Sequence, residues 1–386
     1  MNVTKQPICL CRGTSVSDVN PVQPLTGSPI KANVEPERFT TPTEQSVVEE
    51  MMTRVDGSVP EDIRNQLRKI LMKRSKVFSQ GEWDLGWTDL VTHKIDTGDH
   101  APMRQQLRRY PPSHLQAIDE HLQTMLGQGV IEPASSPWSS NAVLAKKKDG
   151  SLRCCIDFRQ INEITKKDAY PLPRTDQCLD ALNGSSWYST FDLRQGFHQV
   201  SMSAEDADKT AFVTRRGMFR FRAMPFGLCN AVATFQRLVD LVLGGLNFEI
   251  CLVYLHDIVL HSATLDQHLE RMDILLERLE EANLKLKLKP SKCSLMQREV
   301  AFLGHIVSGE GIATDPEKVK LIKEWPTPTN IRQLRGLLGL SGYYRKFVKN
   351  YLTIAGPLND LLRKNRRFQW STECQEAFNT LKDMLS

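Results

Sequence analysis

Apolar residues along this chain change their spacing near residue 137, and the change divides it. Between residues 61 and 79, Ile63, Leu67, Ile70, Leu71 and Val77 recur at helical intervals and predict an amphipathic helix. His114 to Gln128 predicts a second one, ended by Gly127 and Gly129. Residues 1–60 hold Pro, Thr, Ser and Val without a sustained period and read as a disordered or irregular linker, and residues 81–99 as a turn-rich connection. After Pro137 the apolar runs shorten to strand length, at 141–145, 152–156, 188–193, 198–202, 211–214 and 218–222. Helical patterns interrupt them at 175–183, 228–244 and 264–283. Strands are expected again at 284–288 and 299–307, followed by helices over 317–324, 331–350, 354–363 and 371–385. The mixture predicts an α+β fold with a mostly antiparallel sheet.

Composition narrows the reading only a little. At 386 residues the chain is too long for one small core, so two or three subdomains are expected. A net charge of +5 permits an anionic partner, and Arg104, Arg108, Arg109, Lys146, Lys147, Lys148 and Arg153 gather basic charge in one region. A lysine triplet by itself is more often a solvated loop. Nine cysteines without a CxxC pair fit reduced thiols inside a cell. No apolar run reaches the roughly 18 residues of a membrane span, and no signal-peptide core opens the chain, so a soluble intracellular protein with no membrane partner is expected.

Three segments carry candidate chemistry. Ile250 to Leu255 and Ile258 to Leu260 are apolar strands around a polar tip, His256-Asp257, which predicts a tight hairpin. Asp192 closes the apolar strand Trp187 to Phe191 and is followed by Leu-Arg-Gln-Gly-Phe. Carboxylates at two strand ends can meet at one sheet edge and hold a divalent cation against a polyphosphate. Taken alone, Asp192 is as well explained as a strand-terminating turn residue. Met224-Pro225-Phe226-Gly227-Leu228 opens a long helix, which by itself is ordinary helix initiation.

Together, Phe191-Asp192-Leu193, Met224 to Leu228 and Tyr254-Leu255-His256-Asp257, in that order, resemble the reverse transcriptases of Ty3/gypsy long-terminal-repeat retrotransposons. So do Gly129-Val130-Ile131-Glu132-Pro133, Asp157-Phe158-Arg159 with Asn162, Tyr170-Pro171-Leu172-Pro173-Arg174, Phe302-Leu303-Gly304-His305 and Tyr343-Tyr344-Arg345. The resemblance covers roughly residues 60–386 and implies a right-hand polymerase. Its parts would be a lead-in at 61–96, fingers and palm over 97–310 (fingers to about 183), a helical thumb over 311–364, and at 365–386 the start of a connection toward an RNase H domain. No RNase H, protease or integrase segment of such a polyprotein is expected within these residues.

The resemblance also implies roles. Asp192 and Asp257 match two of three carboxylates that hold two Mg²⁺ ions (Mn²⁺ as a substitute). Arg153, with Lys147 and Lys146, would bind the triphosphate of a deoxynucleotide. Phe197 occupies the position that crowds a ribose 2′-hydroxyl; Phe226 and Gly227 would line the nucleotide pocket, and Leu255 would sit near the primer end. Phe302, Leu303, Gly304, His305 and Arg345 would face an RNA/DNA template–primer. One residue departs: His256 stands where the family has a metal-binding Asp. Imidazole is a poor Mg²⁺ ligand, so catalysis is expected to be weak or absent. The alternative from another class is a non-catalytic nucleic-acid-binding remnant. Cytoplasm or virus-like particles are the expected location.

Overall fold

A computed structural model describes residues 44–79, 84–146, 150, 152–193, 195–285, 293–364 and 367–385. Lys147, expected at the triphosphate, lies outside the described residues, as do 286–288 of the expected strand at 284–288; Leu284 and Lys285 are not in a strand. The centre is a four-stranded antiparallel sheet in the order Ser294–Gln297, Trp187–Asp192, Asp257–Ser262, Cys251–Tyr254. Alternation sends Trp187, Phe191, Val253 and Ile258 to one face and Tyr188, Leu252 and Val259 to the other. The first face packs on helices Ala231–Val242 and Leu265–Glu281 through Phe235, Leu238, Met272 and Leu276. The second meets a smaller core with Leu179, Val300 and Phe302.

One buried histidine ties this sheet to the helix behind it. His268 places Nε2 2.7 Å from Ser189 Oγ and Nδ1 2.8 Å from Ser262 Oγ, so one ring binds both central strands. Burial excludes its charged form and holds its pKa down at about 3.

A five-stranded sheet precedes the centre, in the order Ile131–Pro133, Gly217–Phe221, Phe212–Thr214, Ser140–Lys146, Leu152–Ile156. It is antiparallel except for the pair Ser140↔Phe212. Helices Pro316–Lys323 and Ile331–Tyr343 share a separate core (Ile322, Leu334, Leu337, Tyr344) with helix Thr372–Leu385 (Phe378, Leu381). The segment expected to start a connection is thus packed into the thumb.

Three expectations are corrected. Residues 44–52 are helical, not linker: Val47, Val48, Met51 and Met52 are buried in the main core. Nine residues are too few for a stable isolated helix, and this one is held by packing on Glu61–Lys73. Thr88–His93, in the segment read as turns, is a strand parallel to Val200–Met202. The run 299–307 is two strands, Glu299–Phe302 and His305–Ser308, joined by a tight turn. Leu303 (φ 47°) and Gly304 (φ 69°) occupy the left-handed region that a two-residue hairpin turn requires.

Candidate active site

The expected hairpin forms. Tyr254 pairs with Asp257 across a two-residue tip of Leu255 and His256. Leu255 adopts φ 57°, a left-handed conformation that costs a non-glycine residue about 1–2 kcal/mol and is held here by the strands on both sides. The second strand then runs antiparallel to Trp187–Asp192 with Asp257 directly opposite Asp192. Such partners share a sheet face with Cβ atoms about 5 Å apart. Asp192 is 5% exposed and Asp257 is exposed, so the pair grades from buried to open. Leu193 N–H donates to His256 O at 2.9 Å, extending the pairing to the tip.

The His256 ring packs among other aromatic rings. Its ring centroid lies 4.5 Å from those of both Phe197 and Phe235, against the helix on the first face of the sheet. Gly196 makes the room: a Cβ there would come within 2.7 Å of Phe235 Cζ and 2.8 Å of His256 Cε1.

From His256 a continuous aromatic path leads to the fingers. Phe197, 8% exposed, contacts Phe226 with centroids 5.1 Å apart, and Arg153 Cζ lies 4.8 Å from the Phe226 centroid. Arg153 is on the strand Leu152–Ile156 opposite Ala145, next to the exposed Lys146. Gly227, at φ 96°, turns the chain after Phe226, and Asn162 Nδ2 donates to its carbonyl at 2.7 Å. His198 packs edge-on to Phe226 at 5.1 Å; its pKa is lowered to about 4 by burial and then by the Arg153 charge. Gly196, His198 and Phe235 were not singled out from sequence. The Gln-Gly-Phe-His run after Asp192 was the available signal for the first two.

The segment Phe302 to His305 reaches from this edge to the helical C-terminal part: Phe302 and Leu303 line a cavity of about 270 Å³ with Asp257. Phe302 and His305 are 4% and 2% exposed, so their rings serve packing, and the turn Leu303-Gly304 is what faces outward. Tyr344 Oη donates to Gly304 O at 2.6 Å, and Tyr343 Oη to Leu303 O at 2.5 Å. Exposed Arg345 borders a cleft of about 490 Å³ with Arg174 and Lys346.

Asp192 and Asp257 offer hard oxygen donors, the ligands Mg²⁺ prefers, and that ion is commonly held by one or two carboxylates plus substrate phosphates. The donor set fits one such ion. No group of three or more His, Cys, Asp and Glu side chains among the described residues is arranged to hold a metal by itself.

Residues 145–307 match the family described as "Reverse transcriptase (RNA-dependent DNA polymerase)", so fold and site together define a reverse transcriptase domain. The chain is 40% identical over 327 residues to the "Retrovirus-related Pol polyprotein from transposon 297" of Drosophila melanogaster, across 83% of this chain and 31% of that relative. To the corresponding polyprotein from transposon gypsy of the same organism it is 34% identical over 316 residues, across 80% of this chain and 30% of that one. The "Structure of the foamy viral protease-reverse transcriptase dRH in complex with ds DNA" superposes with a TM-score of 0.80 at 25% identity, over 88% of this chain and 60% of that one. The chain belongs to the reverse transcriptases of Ty3/gypsy-type long-terminal-repeat retrotransposons. It spans about a third of the length of the curated relatives it matches. Among the described residues no helix is long and apolar enough to cross a membrane.

Proposed function

We propose that this chain is an RNA-directed DNA polymerase domain that extends a primer with deoxynucleoside triphosphates, at a rate depressed by His256. The observation that carries the reading is the direct cross-strand pairing of Asp192 with Asp257 at the end of the sheet reached by Phe197, Phe226 and Arg153. Asp192 and Asp257 would hold Mg²⁺, which when bound would supply positive charge to the substrate phosphates. The protein's own work is positioning. Asp192 and Asp257 keep a fixed spacing across their strands. Phe197 presents a ring edge to the sugar, and Arg153 offers a planar guanidinium to the triphosphate. The outward turn at Leu303-Gly304 and the cations Arg345 and Lys346 suit a template–primer backbone, contacts that give affinity without sequence preference. The duplex DNA named with the foamy viral neighbour supports this choice of partner.

Two acids suffice for one ion, while a second ion close by would call for a third carboxylate, and position 256 supplies an imidazole packed against Phe197 and Phe235. That is the source of the depressed rate. Primer extension on an RNA template in Mg²⁺ and in Mn²⁺, with Asp192→Asn as control, tests the reading; extension that survives Asp192→Asn defeats it. The second reading, nucleic-acid binding without turnover, is favoured by the same imidazole at position 256. It requires salt-sensitive template–primer binding with no extension in either metal.

A further inference from the structure

We infer that Phe226 is the positioning residue for Arg153, holding its guanidinium over the ring face so that it stands ready for a triphosphate. This deepens the proposed function and rests on it.

Several exposed guanidinium groups of the chain are committed to acids. Arg159 pairs with Asp157 at 2.7 Å, Arg174 with Asp176 at 2.7 Å, and Arg237 with Asp168 at 2.8 Å. Arg153 differs: among the described residues no carboxylate lies within ion-pair distance of it, and its partner is the Phe226 ring, 4.8 Å from Cζ. A carboxylate there would compete with phosphate for the same N–H donors. An aromatic face attracts the cation without occupying those donors, which project from the edge of the guanidinium plane.

The ring itself is fixed from three directions. Phe197 packs at 5.1 Å and His198 meets it edge-on at 5.1 Å. Behind it, Asn162 clamps the turn by donating to Gly227 O at 2.7 Å and accepting from Cys229 N–H at 2.8 Å. Without a fixed ring, Arg153, exposed on a strand end, would sample many rotamers and lose that freedom when a nucleotide binds.

The test measures nucleotide affinity without turnover, so a slow enzyme does not obscure it. The full chain is bound to a template–primer whose primer ends in a dideoxynucleotide, and the Kd of the complementary deoxynucleoside triphosphate is titrated. Phe226→Leu keeps an apolar side chain of similar bulk and removes the ring; Kd is expected to rise about three- to tenfold, with Phe226→Tyr restoring tight binding. In an Arg153→Ala background, Phe226→Leu is expected to add nothing. Template–primer affinity should stay the same across the series, which separates the effect from misfolding. An unchanged Kd in Phe226→Leu, or an equal loss in the Arg153→Ala background, overturns the inference and leaves the polymerase reading standing. Should wild type fail to bind the nucleotide, or Arg153→Ala bind it as well as wild type, the reading of this site falls and the inference with it.

Discussion

Replacing His256 by aspartate sets two structural quantities against each other. The imidazole makes two ring contacts with centroids at 4.5 Å, to Phe197 and Phe235. Contacts of this kind contribute about 0.5–1.5 kcal/mol each beyond area burial, so the variant should lose about 1–3 kcal/mol of stability. Against that, a third carboxylate returns to a tip one residue from Asp257, which itself faces Asp192. Preorganised charge of this sort is worth on the order of 10²–10⁴ in rate, about 3–5 kcal/mol of barrier. His256→Asp should therefore melt at lower temperature while extending a primer far faster. Single-turnover extension on an RNA template, in Mg²⁺ and Mn²⁺ beside a thermal melt, reads both. Equal extension rates for the two proteins would refute the account of position 256, whatever the melt showed.

Three other outcomes follow from the geometry. Gly196→Ala should cost about 1–3 kcal/mol, because its Cβ would come within 2.8 Å of His256 Cε1 and 2.7 Å of Phe235 Cζ; pairing it with His256→Ala should recover part of that loss in chemical denaturation, and strict additivity would contradict the packing. Tyr344→Phe removes the 2.6 Å hydrogen bond to Gly304 O at the thumb joint and should destabilise by about 0.5–1.5 kcal/mol in urea unfolding, with no change at all counting against the joint. His93, His261 and His268 have pKa values lowered by burial to about 4, 4 and 3, so they gain protons only on unfolding. Stability should be full above the unfolded value of about 6.5 and fall as pH drops toward 4, by up to about 1.4 kcal/mol per pH unit for each ring; urea midpoints that hold steady from pH 7 to 5 would exclude this.

Strand alternation and turn residues made the central sheet legible, and the Asp192 and Asp257 strands fall where their apolar runs predict. Segments stabilised from a distance were not legible. Thr88–His93 reads Thr-Asp-Leu-Val-Thr-His, without polar-apolar alternation, and pairs with Val200–Met202, more than a hundred residues on. Glu44–Met52 has too few turns to announce a period and depends on the next helix. The orientation of His256 was equally hidden: a hairpin tip can send its side chain either way, and the choice rests with Phe235 on a separate helix and with the small residue at 196. In the 299–307 run, Gly304 was a readable cue for the turn that the continuous apolar pattern masked.

The histidine that grips Ser189 and Ser262 gives this lineage some latitude. It anchors the acid-bearing strands three residues from Asp192 and five from Asp257, so a change at the hairpin tip leaves these two acids opposite one another. Codons for histidine and aspartate differ by a single base. The tip can thus exchange one for the other by a point mutation without disturbing the strands that carry the acids.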